Sequence, residues 1–233
     1  MTAPLDNKNK SLQYPQCARC GIEPSKRLCM NEQGRSPDFC PTRNDTATIH
    51  KALAEMEDPG LMNFVRQAAN QENDGYAAMG KGRHQRWPVK TRLQETLEFA
   101  QKMNYRRLGL VFCIGLRKEA RTVESLLVNA GLEVVSGICK MGRINKKMMG
   151  LEKDQQRCRE TGSPMCNPIA QAFVLNEAKT ELNIVLGLCV GHDSLFLKYA
   201  DAMCTVLAAK DRVLGHNPLA AVYTLDSYYR GLK

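Results

Sequence analysis

The residues of this chain that could do chemistry are above all its cysteines, ten in 233 positions. The segment CARCGIEPSKRLCMNEQGRSPDFCP sets Cys17, Cys20, Cys29 and Cys40 at C-x2-C-x8-C-x10-C spacing. A C-x2-C pair grips one metal from a tight turn, and Gly21 permits that turn. Four thiolates then satisfy either tetrahedral Zn or one iron-sulfur cubane. The spacing points to a metal and leaves its identity open, although Cys40-Pro41, an ending common in ferredoxin-type cysteine runs, favours iron-sulfur.

A second group is spaced differently. Cys113, Cys139 and Cys189 each close an apolar run, RRLGLVFC, GLEVVSGIC and LNIVLGLC, while Cys166 sits just before Asn167-Pro168. Isolated cysteines on separate elements do not suit a zinc knuckle. They suit a larger inorganic core reached from several strands, and a [4Fe-4S]-type cluster is expected on Cys113, Cys139, Cys166 and Cys189. The competing reading treats strand-end cysteines as small buried hydrophobes. Cys158, in a polar run, and Cys204, which begins a strand, are read as bystanders.

Two histidines adjoin the same region. GHDSLFLKY at 191–199 and GHNPLAAVY at 215–223 share a Gly-His pair, a capping Asp or Asn and an apolar helical run. His192 and His216 are therefore candidates to ligate metal or shuttle a proton, against the plainer role of structural residues beside a helix start. The loop CKMGRINKKMMG gathers Lys140, Arg143, Lys146 and Lys147 beside a strand end. It is a candidate holder of a small anionic substrate, or else a solvated basic loop.

The elements that must position these residues follow from periodicity. Beyond about residue 105, the three runs above and MCTVLAAK alternate with the helical patterns RKEARTVESLLVNAG, NPIAQAFVLNEAKT and DSLFLKYAD. Alternation of this kind predicts an α/β fold: a small parallel sheet of about four strands flanked by helices, in a Rossmann-like three-layer arrangement. Parallel strands deliver their carboxyl ends to one edge, where open sheets bind ligands, so three thiols should converge there. The long connection after Cys139 could carry Cys166 back to the same edge, beside a helix N-terminus that favours thiolate.

Three segments are expected: a cysteine-rich metal-binding lobe at 1–45, a helical segment at 46–104 that packs on the sheet, and the α/β domain at 105–233. The lobe is loop-rich and short of apolar residues, so a bound metal is expected to supply its folding energy. Pro88 suits the first turn of a helix in the middle segment.

Composition narrows the function classes. The formal charge of +9 is spread over the chain, in stretches such as KGRHQR, without a groove-reading motif, so nucleic acid is not an expected partner. The start, MTAPLDNKNKSLQYPQ, has no apolar run of the signal-peptide type. No stretch approaches the ~18 apolar residues of a membrane span. A cytoplasmic location is expected, where thiols stay reduced and serve as ligands or reactive groups. The phosphate-loop and dinucleotide fingerprints are absent, as is the G-x-S-x-G nucleophile elbow.

The pieces CARCG, LVFCIGLRKEA, the CKMG loop, MCNPIAQAFVLNEA, NIVLGLCVGHDSLF and KDRVLGHNP together resemble a cysteine-rich family of unknown function. It is labelled only as metal-binding and found mainly in anaerobic bacteria and archaea. The resemblance implies metal ligation at Cys17, Cys20, Cys29 and Cys40 and a functional set at Cys113, Cys139, Cys166 and Cys189, with Lys146 as the basic residue to carry over.

The expectation is a cysteine-ligated, iron-sulfur redox protein, as a reductase or a sulfur-handling enzyme, acting on a small anionic substrate or with a redox partner protein. Its amino-terminal site would hold a second cluster or Zn. The alternative is a non-catalytic, zinc-stabilised sensor or partner-binding module.

Overall fold

The computed structural model describes residues 14–78, 80, 85–155 and 164–233. Cys158 and residues 81–84 of the KGRHQR stretch lie outside these. The chain divides into two compact units, Met1–Arg66 and Gln67–Lys233.

In the first unit, 3-10 turns at Cys17–Arg19 and Pro24–Lys26 precede α1 (Pro41–Asn44), α2 (Thr46–Met56) and the start of α3 (Pro59–Asp74). None of its described residues is buried. Local hydrogen bonds take the place of a core. Leu28 N–H donates to Arg35 O at 2.9 Å, and Arg35 N–H to Lys26 O at 2.8 Å. The backbone of Arg27 comes so close to Gly34 that a Cβ there would strike it.

The second unit holds a sheet of four parallel strands, β1 (Arg107–Phe112), β2 (Glu133–Ile138), β3 (Leu182–Leu186) and β4 (Cys204–Ala208), in the order β2-β1-β3-β4. This is the expected α/β architecture. Every residue of β3 is buried, as befits an interior parallel strand covered on both faces. The helices are α4 (Arg92–Lys102), α5 (Arg117–Asn129), α6 (Pro168–Glu177), α7 (His192–Tyr199) and the short α8 (Leu219–Tyr223).

Strand alternation assigns the helices to two layers. Leu108 and Leu110 face one side and pack with Ala120, Val123 and Leu127 of α5 and Ala100 of α4. Val111 and Val185 face the other side, against Ala172 and Leu175 of α6 and Phe196 of α7. Burying each such Leu or Val contributes roughly 1.5–3 kcal/mol. Gly109 lies under α6, where a Cβ would strike Leu175 and Asn183, so the missing side chain sets how closely helix and sheet approach.

Local signals place the helix ends. Asn167 accepts from Ala170 N–H at 3.0 Å and Pro168 fills the first turn of α6. Gly131, just past α5, takes φ +86°. The expectation for Pro88 is corrected: Pro88 pairs with Tyr76 in an antiparallel bridge. α4 starts instead at Arg92, because Thr91 and Gln94 form a reciprocal capping box that satisfies two backbone N–H groups at once.

From β1 the chain crosses to β2 on one side, then returns past β1 to β3 on the other. The crevice outside the carboxyl ends of β1 and β3 is the point where strand order reverses. Among the described residues no helix is long and apolar enough to cross a membrane.

Candidate functional site

Cys113 immediately follows β1 and Cys139 immediately follows β2. The register that pairs Phe112 with Ile138 continues to set them side by side, with Cys139 N–H donating to Phe112 O at 2.9 Å. By alternation both share the face of Val111 and Gly137, the face covered by α6. Cys166 reaches them through its neighbours. Asn167 N–H donates to Cys139 O at 2.8 Å, Met165 N–H to Ile144 O at 2.7 Å, and Lys140 Nζ to Pro164 O at 2.6 Å. These bonds tie the segment before α6 onto the loop that follows β2.

Cys139 is the middle of the three: strand register sets it beside Cys113, the Asn167 bond to its carbonyl brings the Cys166 segment alongside, and all three pack in one cluster where the Cys139 thiol acts on both others. The middle sulfur is the deepest and Cys166 the most open: Cys139 is 2% exposed, Cys113 is 8% exposed, and Cys166 is half-buried. All three are free thiols.

Their acidities diverge. The hydrogen bond from Cys139 lowers the Cys113 thiol most, against the opposing cost of burial, and the backbone of Gly115 and the ammonium of Lys210 lower it further. The Cys139 bond also does most to lower Cys166, down to about 5, with help from Lys140 and, more weakly, His192. Cys139 is pushed up, first by its two sulfur neighbours and then by burial, although Ile114 N–H donates to its sulfur at 3.3 Å. The contacts thus hold the middle thiol towards its protonated form and press the outer two towards thiolate, Cys113 beside Lys210 and Cys166 beside Lys140.

Cys189 is engaged elsewhere. Arg212 Nη2 donates to its sulfur at 2.9 Å, and its carbonyl accepts from His192 N–H at 2.9 Å and Asp193 N–H at 3.1 Å. The structure therefore brings together three of the four expected strand-edge cysteines. It pairs the fourth with a guanidinium.

The histidines separate as well. His192 opens α7, close enough to Cys166 for its charge to act on that thiol. His216 sits in a left-handed turn at φ +67°, where Nδ1 accepts from Asp211 N–H at 3.1 Å, and so serves the turn. Lys146 begins a 3-10 turn capped by Asn145; the lysine of this loop that meets a thiol is Lys140. Cys204 starts β4 and bonds to Ala202 O at 3.3 Å, and burial pushes its thiol up.

Lys210 and Arg212 were missed in the sequence. A signal for them existed: KDR follows β4 almost directly, and a parallel sheet carries residues at that position to the same rim as the strand-end cysteines.

In the first unit, Cys17, Cys20, Cys29 and Cys40 line one cavity of about 60 Å³, together with Arg27 and Phe39. Cys20 N–H closes a turn onto Cys17 O at 3.1 Å. Arg27 ties the loop from within, donating to Ile22 O at 2.6 Å and Cys20 O at 3.1 Å. Among the described residues no three His, Cys, Asp or Glu side chains form, as they stand, a group that could hold one metal ion.

Residues 40–207 match the model of the family described as "Protein of unknown function (DUF1847)". The chain belongs to this family. It is also 46% identical, over 140 residues, to an uncharacterized protein of Methanocaldococcus jannaschii, the match covering 60% of this chain and 69% of that protein. The matched family region contains Cys113, Cys139, Cys166 and Cys189 and, of the amino-terminal four, Cys40.

Proposed function

We propose that this DUF1847 protein is a redox or sulfur-handling protein whose reactive centre is the thiol row Cys113, Cys139 and Cys166. The observation that carries the reading is the meeting of Cys139 with a cysteine on either side where the strands end, each outer sulfur beside a lysine. Thiolates are the nucleophilic form of cysteine, and a protonated thiol between them can receive or release the proton of an exchange step. Cys166, half-buried at the rim, is the sulfur a substrate meets first.

A second reading is supported by the donor types. Soft sulfurs, the Ile114 N–H at Cys139 and the two ammonium groups suit an iron-sulfur cluster. Cys113, Cys139 and Cys166 would hold it, with Cys189 as the fourth ligand once freed from Arg212. Such a cluster supplies electron transfer or an open iron site.

Cys17, Cys20, Cys29 and Cys40 are proposed to hold a structural metal, Zn or an iron-sulfur cluster. A lobe none of whose described residues is buried draws its folding energy from the metal-sulfur bonds.

Anaerobic purification with iron, zinc and acid-labile sulfide analysis, followed by thiol-exchange kinetics, tests these assignments. Zn or iron lost on Cys29→Ser, with a rim that exchanges rapidly with disulfides or persulfides, supports the leading reading. Iron and sulfide lost on Cys139→Ser establish the second. Zinc alone, with a rim inert to disulfide and persulfide, leaves a zinc-stabilised module and overturns both.

A further inference from the structure

We infer that the three thiols form a disulfide relay, in which an external disulfide is accepted at Cys166 and its oxidising equivalent is passed through Cys139 to a buried Cys113–Cys139 bond. The inference rests on the thiol reading of this rim and deepens it by naming the substrate class, a disulfide, and the order of the sulfurs.

Connectivity and burial set that order. Cys139 sits beside Cys113 in the strand register, and its carbonyl is bonded by Asn167, the residue next to Cys166, in one packed cluster, so any bridge formed by neighbours in the row includes it. Cys166 is the most exposed of the three, and the bridge between the other two lies in a layer where they are 8% and 2% exposed. Cys113 and Cys139 continue the in-register pairing of β1 and β2. Neighbouring strands lie about 4.8 Å apart, within the roughly 4.4–6.8 Å Cα separation that a disulfide spans.

The chemistry balances in three exchanges. The Cys166 thiolate attacks a disulfide RS–SR, forming a Cys166–SR mixed disulfide and releasing RS⁻. The Cys139 sulfur attacks the Cys166 sulfur as its proton passes to the departing thiolate, giving a Cys139–Cys166 disulfide and RSH. The Cys113 thiolate then attacks the Cys139 sulfur, forming Cys113–Cys139 and returning Cys166 as a thiolate. The net change is one external disulfide reduced to RS⁻ and RSH and one protein dithiol oxidised, with two electrons moved. In the last exchange, negative charge passes from the sulfur beside Lys210 to the sulfur beside Lys140. The rim is left with an open thiolate and a stored oxidation.

The test treats the full-length, anaerobically purified chain with oxidised glutathione, quenches with acid and alkylating agent at intervals, and maps linkages by peptide mass spectrometry. A glutathione adduct at Cys166 is expected first, then Cys139–Cys166, then Cys113–Cys139. Cys113→Ser should stop at the second species. Cys139→Ser should accumulate the Cys166 adduct, and Cys166→Ser should slow uptake by at least roughly tenfold. Cys139→Ala repeats the middle test with an apolar replacement, and circular dichroism confirms that each variant is folded. A first adduct at Cys113, a Cys113–Cys166 bridge in the Cys139 variants, or no bridge among the three overturns the relay. If Cys166 still exchanges rapidly in that event, the proposed function stands without the relay. If Cys166 is inert as well, both fall, and a rim whose thiols are all masked by iron overturns the relay in favour of the cluster.

Discussion

The two cysteine groups of this molecule invert the relation between sulfur and fold. In the first unit the described residues have no buried core, and four cysteines line one small cavity. In the second, two faces of a parallel sheet are packed by helices, and three cysteines sit in contact at its carboxyl edge. On the proposed reading, metal-bound sulfur creates the structure of the lobe. At the rim, a structure that already stands holds sulfurs together at the cost of desolvation, and lysines and backbone N–H groups offset that cost. Such a contrast teaches that cysteine content alone says nothing about role. What decides it is whether the surrounding chain is stable without the thiols.

The largest expected effect breaks the comparison at the lobe. Stripping metal with a strong chelator, or replacing Cys20 by Ser, should abolish amide-exchange protection across residues 14–66 while 67–233 stay protected. Structural metal sites of this kind contribute about 10–16 kcal/mol of apparent binding energy. Protection that survives in the lobe without metal would mean that sulfur does not build it.

A core change probes the other side. Gly109→Ala forces a methyl group against Leu175 and Asn183. It should cost about 1–3 kcal/mol in urea unfolding of the second unit, with the metal content of the lobe unchanged. Joint loss of both would show that the two units do not stand separately.

The pH profile of Cys166 sharpens the chemical contrast. Its thiol is lowered to about 5, so the thiolate persists as pH falls through 8, 7 and 6 and is lost only below about 5. Alkylation of Cys166, followed by mass spectrometry, should hold its rate down to pH 6. An ordinary thiol, with a pKa of about 8.5, slows roughly tenfold for each pH step over that range. A profile centred near 8.5 would remove the electrostatic account of the rim.

The smallest effect isolates one charge. Lys140→Met withdraws the ammonium that helps to lower Cys166 and also bonds Pro164 O. Alkylation of Cys166 at pH 6 should slow roughly three- to tenfold, and restoration by Lys140→Arg would separate charge from loop packing. An unchanged rate assigns the lowering to Cys139 and His192 without Lys140.

Much of the fold was legible before any coordinates. The runs ending at Cys113, Cys139 and Cys189 are apolar enough to be buried and short enough to be strands. The helical patterns between them force parallel crossovers, and the sheet follows. Legibility fell where a local signal met a stronger one. Pro88 suits a helix start, but the reciprocal cap at Thr91 and Gln94 is two hydrogen bonds better and moves the start to Arg92. The return of Cys166 to this edge was open to sequence reasoning, but the bonds that hold it there were not, because those from Asn167 to Cys139 O and from Lys140 to Pro164 O join segments far apart in the chain. Cys189 shows the limit of the convergence argument. Sharing an edge with three thiols does not fix side-chain direction, and an Arg212 guanidinium nearby offers its sulfur a charged partner.

The sequence by itself determined that strand ends would carry thiols to one rim, since hydrophobic period and chain order dictate parallel strands and parallel strands share a carboxyl edge. It also set four cysteines at metal-ligand spacing in an amino-terminal segment poor in apolar residues. Tertiary structure alone decided which sulfurs touch, which lysine faces which thiol, and that Cys139 is the shared neighbour. Those contacts depend on register, on alternation across the sheet and on loops closing over several ångströms, and no spacing along the chain encodes them.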